Sequence, residues 1–258
     1  GLNVTDVENA GLFGVIKDAK IKNLIVRGSV SGTEYAGGIA GKVKTAVSSF
    51  TNCGNEAEVT GEYAAGILGT NMVSSGECRI VNCYNTGKIV SNGSSSDRAG
   101  GIYAGSSSGK TTITDCYNVG DVSSNGNAGG IYGQSGSFIG TVSSSYNSGK
   151  VKGASEKVVG AITSGSAGVG KACYYLNGSA VDSSPATAVS STELQQLNIS
   201  DDFEHVNGRN KNYPVLRWQK LQEKAGKAVL AENTEFQTEK VHMPSTAETD
   251  DENTYRLT

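Results

Sequence analysis

The sequence has few of the residues on which enzymes and membrane proteins depend. Its 258 residues include two histidines, one tryptophan and three prolines, and the hydrophobic content of 36% is low for a compact enzyme. No apolar run approaches the roughly 20 residues that a membrane-spanning helix needs, so we expect no membrane insertion. The motifs GxSxG and HExxH and the phosphate-binding loop are also missing, and both histidines, His205 and His242, lie beyond the repeats described below.

Net charge is missing from most of the chain as well. Residues 1 to 218 hold 17 Lys plus Arg and 17 Asp plus Glu, whereas the remaining 40 residues hold 5 and 8, which accounts for the overall charge of −3. A neutral body offers no electrostatic footprint for nucleic acid or for an anionic membrane. We therefore expect no nucleic-acid partner.

What the sequence does have is a tandem repeat of about thirty residues. A glycine-rich turn with a central isoleucine occurs five times, and each turn is followed by a second signature that has cysteine in four of five copies. The isoleucines are 28, 35, 29 and 31 residues apart, and the cysteine positions are 30, 33, 29 and 28 residues apart. Two independent spacings therefore agree, and a fixed period predicts a repeat architecture. The positions are Ile39, Ile67, Ile102, Ile131 and Ile162 in the turn, and Cys53, Cys83, Cys116, Ser145 and Cys173 in the second signature.

Each copy contains two or three short strands. Apolar and polar residues alternate in the second signature, and Gly, Asn and Ser bound these runs. Because such a unit is too small to bury a face alone, the copies must stack. We predict an all-β fold, a parallel β-solenoid (right-handed β-helix) of about six coils over residues 11–180, with residues 1–10 as its N-terminal edge. At about 4.8 Å per coil, the rod is roughly 30 Å long and has isoleucine and cysteine ladders inside.

The five cysteines allow three interpretations: a metal site, disulfides or packing. Cys78 lies outside the repeated position, and the sequence has neither a CxxC pair nor a His–Cys cluster, so we expect no metal and no cofactor. In-register side chains of parallel strands point the same way rather than at each other, which disfavours disulfides between coils. We therefore favour small, buried, hydrophobic cysteines that form a ladder.

A second ladder is the candidate binding face. A tyrosine directly follows the cysteine position in four copies, and if the cysteine points inward on a strand, the tyrosine points outward. Such a face could hold a sugar ring or the edge of a partner protein, or the rings could simply stabilise one another. A shorter pair in the glycine turns, Tyr103 and Tyr132, has the same two interpretations. The face consists of Tyr84, Tyr117, Tyr146 and Tyr174; the asparagines that follow three of them, Asn85, Asn118 and Asn147, are predicted to satisfy backbone groups in turns.

The repeat period stops at residue 180. The segment SSTELQQLN at 190 to 198 has the serine start and acidic first turn of a short helix, and it is followed by several aromatic residues and the sole tryptophan. We predict that residues 181–219 are a cap that closes the open end of the solenoid, with Trp218 as its plug. The alternative is the start of another domain. Residues 220–258 are predicted to be an acidic polar linker or the start of the next module.

These copies resemble a known family. GLFGVI at 11 to 16, IKNLIVRGSVSG at 21 to 32 and AGGIAGKV at 36 to 43 resemble the GLUG repeat of bacterial cell-surface proteins, which is found beside adhesion modules and ahead of the protease part of IgA-cleaving metallopeptidases. The later copies and the closing NGRNKNYPVLRWQ resemble repeat arrays of large exported proteins from gut Firmicutes and Bacteroidetes. The resemblance covers about residues 9 to 219, although Ala65 and VGAITSG depart from the glycine pattern. It implies export, a surface location and an adhesive or spacer role, and it carries no catalytic residues.

The sequence is compatible with two alternative functions. In the first, the chain is a monomeric, non-catalytic adhesion or stalk module of a secreted or cell-surface protein, which binds a host or microbial glycan or protein through one face of the rod or only holds other domains apart. In the second, it is a carbohydrate-active β-helix enzyme, a polysaccharide lyase or hydrolase. Such enzymes place several charged residues on one face, whereas Asp115 and Asp121 have Ser144 and Lys150 as their counterparts in the next copy. We therefore expect no enzymatic activity.

Overall fold

The repeat positions stack as parallel strands, so that the chain forms the predicted all-β parallel β-solenoid. We describe a computed structural model that covers residues 1–45, 47–73, 76–106, 108–134, 140–154, 159–165, 168–180 and 186–220. Within these residues six coils follow one another, and five full turns of the chain separate the first coil from the sixth. The predicted linker at 220–258 lies outside the described residues from 221 onward.

The first two coils have long strands, and from the third coil onward these strands are divided by bends. The first coil has β1 (Leu2–Ala10), β2 (Phe13–Lys17) and β3 (Lys20–Val26), and the second has β4 (Gly28–Gly37), β5 (Ala40–Thr45) and β6 (Ser49–Asn55). The third coil has β7 (Glu58–Gly61), β8 (Tyr63–Ala65), β9 (Leu68–Asn71), β10 (Glu77–Val81) and β11 (Tyr84–Asn85). The fourth has β12 (Ile89–Ser91), β13 (Arg98–Gly100), β14 (Lys110–Thr114) and β15 (Tyr117–Asn118). The fifth has β16 (Val122–Ser124), β17 (Asn127–Gly129), β18 (Gly140–Ser143) and β19 (Ser145–Asn147), and the sixth has β20 (Val151–Lys152), β21 (Val159–Gly160) and β22 (Cys173–Leu176).

The strands line three sides of the coils. The first sheet has the order β20-β16-β12-β7-β4-β8-β13-β17-β21, and β1 pairs with β4. The second sheet has the order β18-β14-β10-β6-β11-β15-β19-β22-β23, and β3 pairs with β6. The third side is the short sheet β2-β5-β9, which single bridges at Tyr103, Tyr132 and Thr163 extend through the later coils. Residues 1–10 were predicted to be an N-terminal edge outside the coils. Residues 2–10 instead form strand β1 of the first coil.

The glycine-rich turns are corners that carry the isoleucines into the core. A Cβ added to Gly100 would clash with the carbonyl oxygen of Tyr103, so the backbone can approach this closely only because the residue is glycine. Each isoleucine of the ladder is fully buried. Backbone N–H groups of Ile39, Ile67, Ile102 and Ile131 donate to the isoleucine carbonyl of the next coil at 3.3, 3.0, 3.0 and 2.8 Å, respectively.

A second kind of bend lies immediately before each cysteine position. The residue there has a left-handed backbone in all six coils, with φ between 46° and 59°. Asparagine and aspartate tolerate this conformation best among residues with a side chain. The bend separates strands such as β10 and β11, and it turns the cysteine toward the core and the next residue away from it. The bend residues are Asn23, Asn52, Asn82, Asp115, Ser144 and Ala172.

The remaining elements belong to residues 186–220, which we call the C-terminal cap. They are β23 (Thr187–Val189), the single-turn helix α1 (Ser191–Leu194), β24 (Phe203–Glu204), a 3₁₀ turn (Asn210–Asn212) and β25 (Val215–Leu216). The predicted helix start is present as a capping box, in which Ser190 and Glu193 bond reciprocally to each other's backbone N–H. Strand β23 adds to the second sheet beside β22, and β24 pairs with β25 in an antiparallel manner.

Candidate functional site

The predicted tyrosine face points away from the solenoid core, but it is buried. Tyr84, Tyr117 and Tyr146, which we call the tyrosine ladder, are 1%, 2% and 0% exposed. Their rings stack at centroid distances of 5.4 and 5.2 Å with interplanar angles of 10° and 6°. Tyr174 pairs with Tyr146 in the sheet and is half-buried against the same cluster. The prediction of an exposed face is therefore wrong for the ladder, because the ring faces contact each other and the C-terminal cap covers their outer edges.

After β23, which extends the second sheet past the sixth coil, the cap lies along the side of the solenoid. The indole N–H of Trp218 donates to the carbonyl oxygen of Asn82 at 2.8 Å, and its ring is tilted against Tyr84 at 5.8 Å. Phe203 contacts the rings of Tyr117 and Tyr146 at 6.4 and 5.9 Å. The prediction that Trp218 plugs the open end is wrong, since this residue lies beside the third coil. Its aromatic partner there is Tyr84, the residue that follows the cysteine position of that coil.

The hydroxyl groups of the ladder bind separate partners. Tyr84 donates to Glu56 at 2.6 Å, Tyr117 donates to the side-chain oxygen of Gln219 at 3.1 Å, and Tyr146 donates to the carbonyl oxygen of Pro214 at 2.6 Å. Burial raises the pKa of all three phenols above their usual value. They consequently remain neutral hydrogen-bond donors over the physiological range.

A polar cavity remains between the ladder and the cap. Its volume is about 160 Å³, and one of its lining residues, Glu56, has a side chain that is 29% exposed and bonds Arg27 at 2.7 Å. The second signatures of three consecutive coils supply one wall, and the cap supplies the other. The lining residues are Glu56, Tyr84, Thr86 and Tyr117 from the solenoid and Arg209, Asn210, Val215 and Gln219 from the cap.

The cap wall of this cavity contains strained backbone. Asn210, Lys211 and Asn212 have φ values of 47°, 56° and 65°, so three consecutive residues adopt the left-handed conformation. Each such residue costs about 1 kcal/mol or more unless its surroundings hold it. The side-chain amide of Asn210 donates to the hydroxyl of Tyr146 at 2.6 Å and to Pro214 at 3.3 Å, which fixes the turn on the ladder.

The cysteines are free and buried. The thiols of Cys53, Cys83 and Cys116 each contact the carbonyl of the residue two positions earlier, at 3.4, 3.2 and 3.2 Å, and a carbonyl of the preceding coil at 3.7 Å. Burial raises the pKa of Cys78 to about 12 and that of Cys173 to about 11. Raised pKa values keep Cys53, Cys78, Cys83 and Cys173 protonated, and protonated thiols are poor nucleophiles. The thiol of Cys116 makes the same carbonyl contacts, so the cysteines act as packing groups.

The asparagines beside the tyrosine ladder form a buried chain of amides. Each side-chain N–H group of Asn55, Asn85 and Asn118 donates to the amide oxygen of the next coil, at 2.7, 2.7 and 2.8 Å. Each also donates to the carbonyl two residues later at 2.8 Å. The predicted role of Asn85, Asn118 and Asn147 in satisfying turn backbone is therefore confirmed, and the amides bond between coils as well.

Sequence reasoning missed an aromatic pair on the opposite part of the coil. Tyr35 and Tyr63 are half-buried on adjacent coils, with ring centroids 5.2 Å apart. Lys42 lies over the ring of Tyr35 at 5.2 Å, and Arg98 lies over that of Tyr63 at 5.1 Å. The signal was available, because Tyr35, Tyr63 and Arg98 each precede a ladder isoleucine by four residues. Their rings are tilted by 53°, unlike the nearly parallel rings of the buried ladder.

The two aspartates that we weighed for catalysis have separate partners. Asp115 accepts a hydrogen bond from Ser200 of the cap at 2.6 Å, and burial raises the pKa of its carboxyl, with the nearby Asp202 adding to the increase. Asp121 accepts from the backbone N–H of Lys150 at 3.0 Å. In the described ranges, no group of three or more His, Cys, Asp and Glu side chains is arranged to hold a metal ion. The described part of the chain also has no helix with the length and apolar character needed to span a membrane.

Comparison with known proteins supports the fold. No protein-family model and no curated protein matches the chain, so the GLUG repeat itself is not detected. Among solved structures, a protein from Bacteroides ovatus described as a putative immunoglobulin A1 protease is similar, with a TM-score of 0.61 and 22% sequence identity. The similarity covers 83% of this chain and 76% of that one. The neighbour is thus named for the same kind of protease as the proteins in which GLUG repeats occur, and at this identity the likeness shows the shared fold alone.

Proposed function

We propose that this chain is a non-catalytic module of an exported bacterial surface protein, a GLUG-like rod that acts as a stalk or an adhesive segment. The observation that carries the proposal is the use of the repeated positions for contacts between coils. The isoleucines bond through their backbones, the thiols contact carbonyls of the preceding coil, and the amides and tyrosine rings contact their counterparts in neighbouring coils. Repeats that interact mainly with their neighbours form an elongated body whose length is set by coil number, which suits a spacer.

The resemblance of the first copies to GLUG repeats supports a surface location, and the structural neighbour supports a link to proteins that meet the host. The neighbour's name concerns immunoglobulin A1. We extend this to our chain only as a choice of ligands to test. Immunoglobulin A1 and host glycans are the first partners to examine.

Surface display tests the proposal. The chain is placed between a surface anchor and an N-terminal epitope tag, and it is compared with a Gly/Ser linker of equal residue number, which behaves as a flexible coil. We expect the rod to hold the tag at a fixed distance from the membrane by fluorescence energy transfer, whereas the linker gives a broad distribution. A distribution as broad as that of the linker would contradict the stalk.

The enzymatic alternative is tested on the same protein. The purified chain is incubated with a panel of polysaccharides and with immunoglobulin A1. We expect no new reducing ends, no unsaturated sugars and no antibody fragments. Turnover of any of these substrates that is lost on heat unfolding would overturn the non-catalytic assignment and revive the β-helix lyase or hydrolase.

A further inference from the structure

We propose that the loop between β12 and β13 binds one calcium ion against the side of the solenoid. The loop consists of residues 92–97 of the fourth coil, and we call it the 92–97 loop. The carboxylates of Asp97 in this loop and of Glu62 in the third coil hold the ion, and oxygens of the loop and water complete its shell. The inference is independent of the proposed function, because a stalk and an enzyme can both carry a structural calcium ion.

The observation that points to a cation is a buried carboxylate that lacks a partner for one of its oxygens. Asp97 is 3% exposed. Its Oδ1 accepts a hydrogen bond from the hydroxyl of Ser94 at 2.7 Å, whereas its Oδ2 is buried and has no hydrogen-bond partner. The adjacent Arg98 lies over the ring of Tyr63 at 5.1 Å, and in the described part of the chain no ion pair joins it to Asp97. A buried carboxylate is costly unless it is paired or coordinates a metal, so a cation from solution is the missing partner.

A glycine leaves space beside the unpartnered oxygen. A Cβ added to Gly93 would clash with Oδ2 of Asp97 and would lie 3.1 Å from Cγ of Glu62. Both acidic side chains therefore border the same space, which any residue other than glycine would fill. Glu62 is exposed, so its side chain can rotate to admit the ion and then bring its carboxylate to it.

The 92–97 loop is an insertion at a corner that other coils make with fewer residues. One residue separates β7 from β8 and two separate β16 from β17, whereas six separate β12 from β13. The loop is held in place, because Asn125 of the next coil donates to the carbonyl oxygen of Gly93 at 3.1 Å and the backbone N–H of Arg98 donates to that of Glu62 at 3.1 Å. Packing alone gives no reason for an inserted loop to bury an unpaired acid, and loops of this kind often carry binding sites.

The available donors favour calcium over other metals. They are oxygens alone: two carboxylates, the hydroxyls of the exposed Ser95 and Ser96, and backbone carbonyls of the loop. Calcium takes roughly six to eight oxygen ligands in an adaptable arrangement, magnesium demands a regular octahedron, and zinc prefers nitrogen and sulfur. Because neutral oxygens and water complete a calcium shell, two carboxylates suffice, and the site is compatible with the lack of larger acidic or Cys/His groups among the described residues.

Calcium titration of the intact chain provides the test. The chain is freed of metal with EDTA, and it is titrated with CaCl2 by calorimetry and unfolded by heat in CaCl2 or in MgCl2 of equal ionic strength. We expect a Kd of about 0.1–1 mM, the range of extracellular calcium modules. At about 10 mM CaCl2 the melting temperature should rise by about 3–10 °C through preferential binding to the folded chain.

Matched variants assign the site. Asp97→Asn keeps the shape of the side chain and should abolish the calcium-dependent shift. Because the charge of Asp97 is unpaired without the ion, this variant should be at least as stable as the wild-type chain in EDTA and less stable than it in calcium. Glu62→Gln should weaken calcium binding about tenfold, and it serves if Asp97→Asn fails to fold, because Glu62 is exposed. Glu58→Gln is the control and should leave binding unchanged, since Glu58 pairs with Lys88 at 3.1 Å.

Three results would overturn the site. The first is the absence of both a calorimetric and a thermal response to CaCl2. The second is an equal thermal response to MgCl2, which would show general screening of surface charge. The third is a full calcium response in both Asp97→Asn and Glu62→Gln. Each of these leaves the proposed stalk or adhesive function standing, because the display experiment measures that function without reference to calcium.

Discussion

Single residues decide whether a repeated position is buried or exposed. Tyr84, Tyr117 and Tyr146 follow inward cysteines and point outward, as alternation along a strand requires. They are nevertheless buried, because the cap covers them. The hydroxyls of Tyr117 and Tyr146 donate to Gln219 and to the carbonyl oxygen of Pro214, and both of these partners belong to the cap. A repeated aromatic position thus predicts which way the side chain points, but it does not predict whether another segment of the chain covers it.

The middle tyrosine contributes most to the stack. Tyr117→Ala removes ring contacts to both neighbours and the bond to Gln219, so we expect the free energy of unfolding to fall by about 3–5 kcal/mol, as for other large aromatic side chains cut back in cores. Tyr117→Phe keeps the rings and loses one hydrogen bond, which costs about 1 kcal/mol. Urea unfolding monitored by circular dichroism measures both. Equal losses for the two variants would contradict a role in stacking.

The stability of the chain at acid pH depends on Glu77, whose carboxylate binds residues of the next coil. A hydrogen bond from Thr112 and the cations Lys110 and Arg79 lower the pKa of Glu77 to about 2 from its ordinary 4.5. A lowered folded-state pKa means that this stabilisation is present above pH 4.5 and is lost as the pH falls toward 2. We expect the stability of the wild-type chain to decline more steeply across this window than that of Glu77→Gln. Parallel pH profiles of the melting temperature would refute the assignment.

At the level of elements, the coils are joined by hydrogen bonds that run perpendicular to the strands. The amide chain from Asn55 to Asn147 is fully buried and occupies the turn between the two sheets. Buried polar chains of this kind are favourable only while every member has its partners. One substitution in the middle therefore affects two coil interfaces.

Asn118→Ala tests this coupling. It leaves the amide of Asn85 without one acceptor and the carbonyl of Gly120 without one donor. Each buried group left unsatisfied costs about 1–3 kcal/mol, so we expect the two groups to lower the free energy of unfolding by about 2–6 kcal/mol. Ser123→Ala, on the half-buried outer side of β16, is the control and should change stability by less than about 0.5 kcal/mol. A loss for Asn118→Ala as small as that of the control would show that the amide chain is dispensable.

At the scale of the whole molecule, the parts that could be predicted from sequence are those that repeat. The isoleucine and cysteine spacings predict the period of the coils, and the glycine pattern predicts their corners. The path of the cap has no such signal, because its contacts join residues as distant as Trp218 and Asn82, and no local pattern encodes a pairing across 136 positions. The same holds for the cavity, whose two walls come from residues 92 to 163 positions apart. The aromatic pair Tyr35 and Tyr63 was predictable from its constant offset to the isoleucines.

Selective nitration of tyrosine tests most directly the central claim, that the cap buries the tyrosine ladder against the side of the solenoid. Tetranitromethane modifies accessible phenols, and peptide mass spectrometry identifies each site. In the native chain we predict that Tyr84, Tyr117 and Tyr146 remain unmodified while the half-buried Tyr63 reacts, and that all four react in urea. Modification of the ladder tyrosines in the native chain at the rate of Tyr63 would contradict the account.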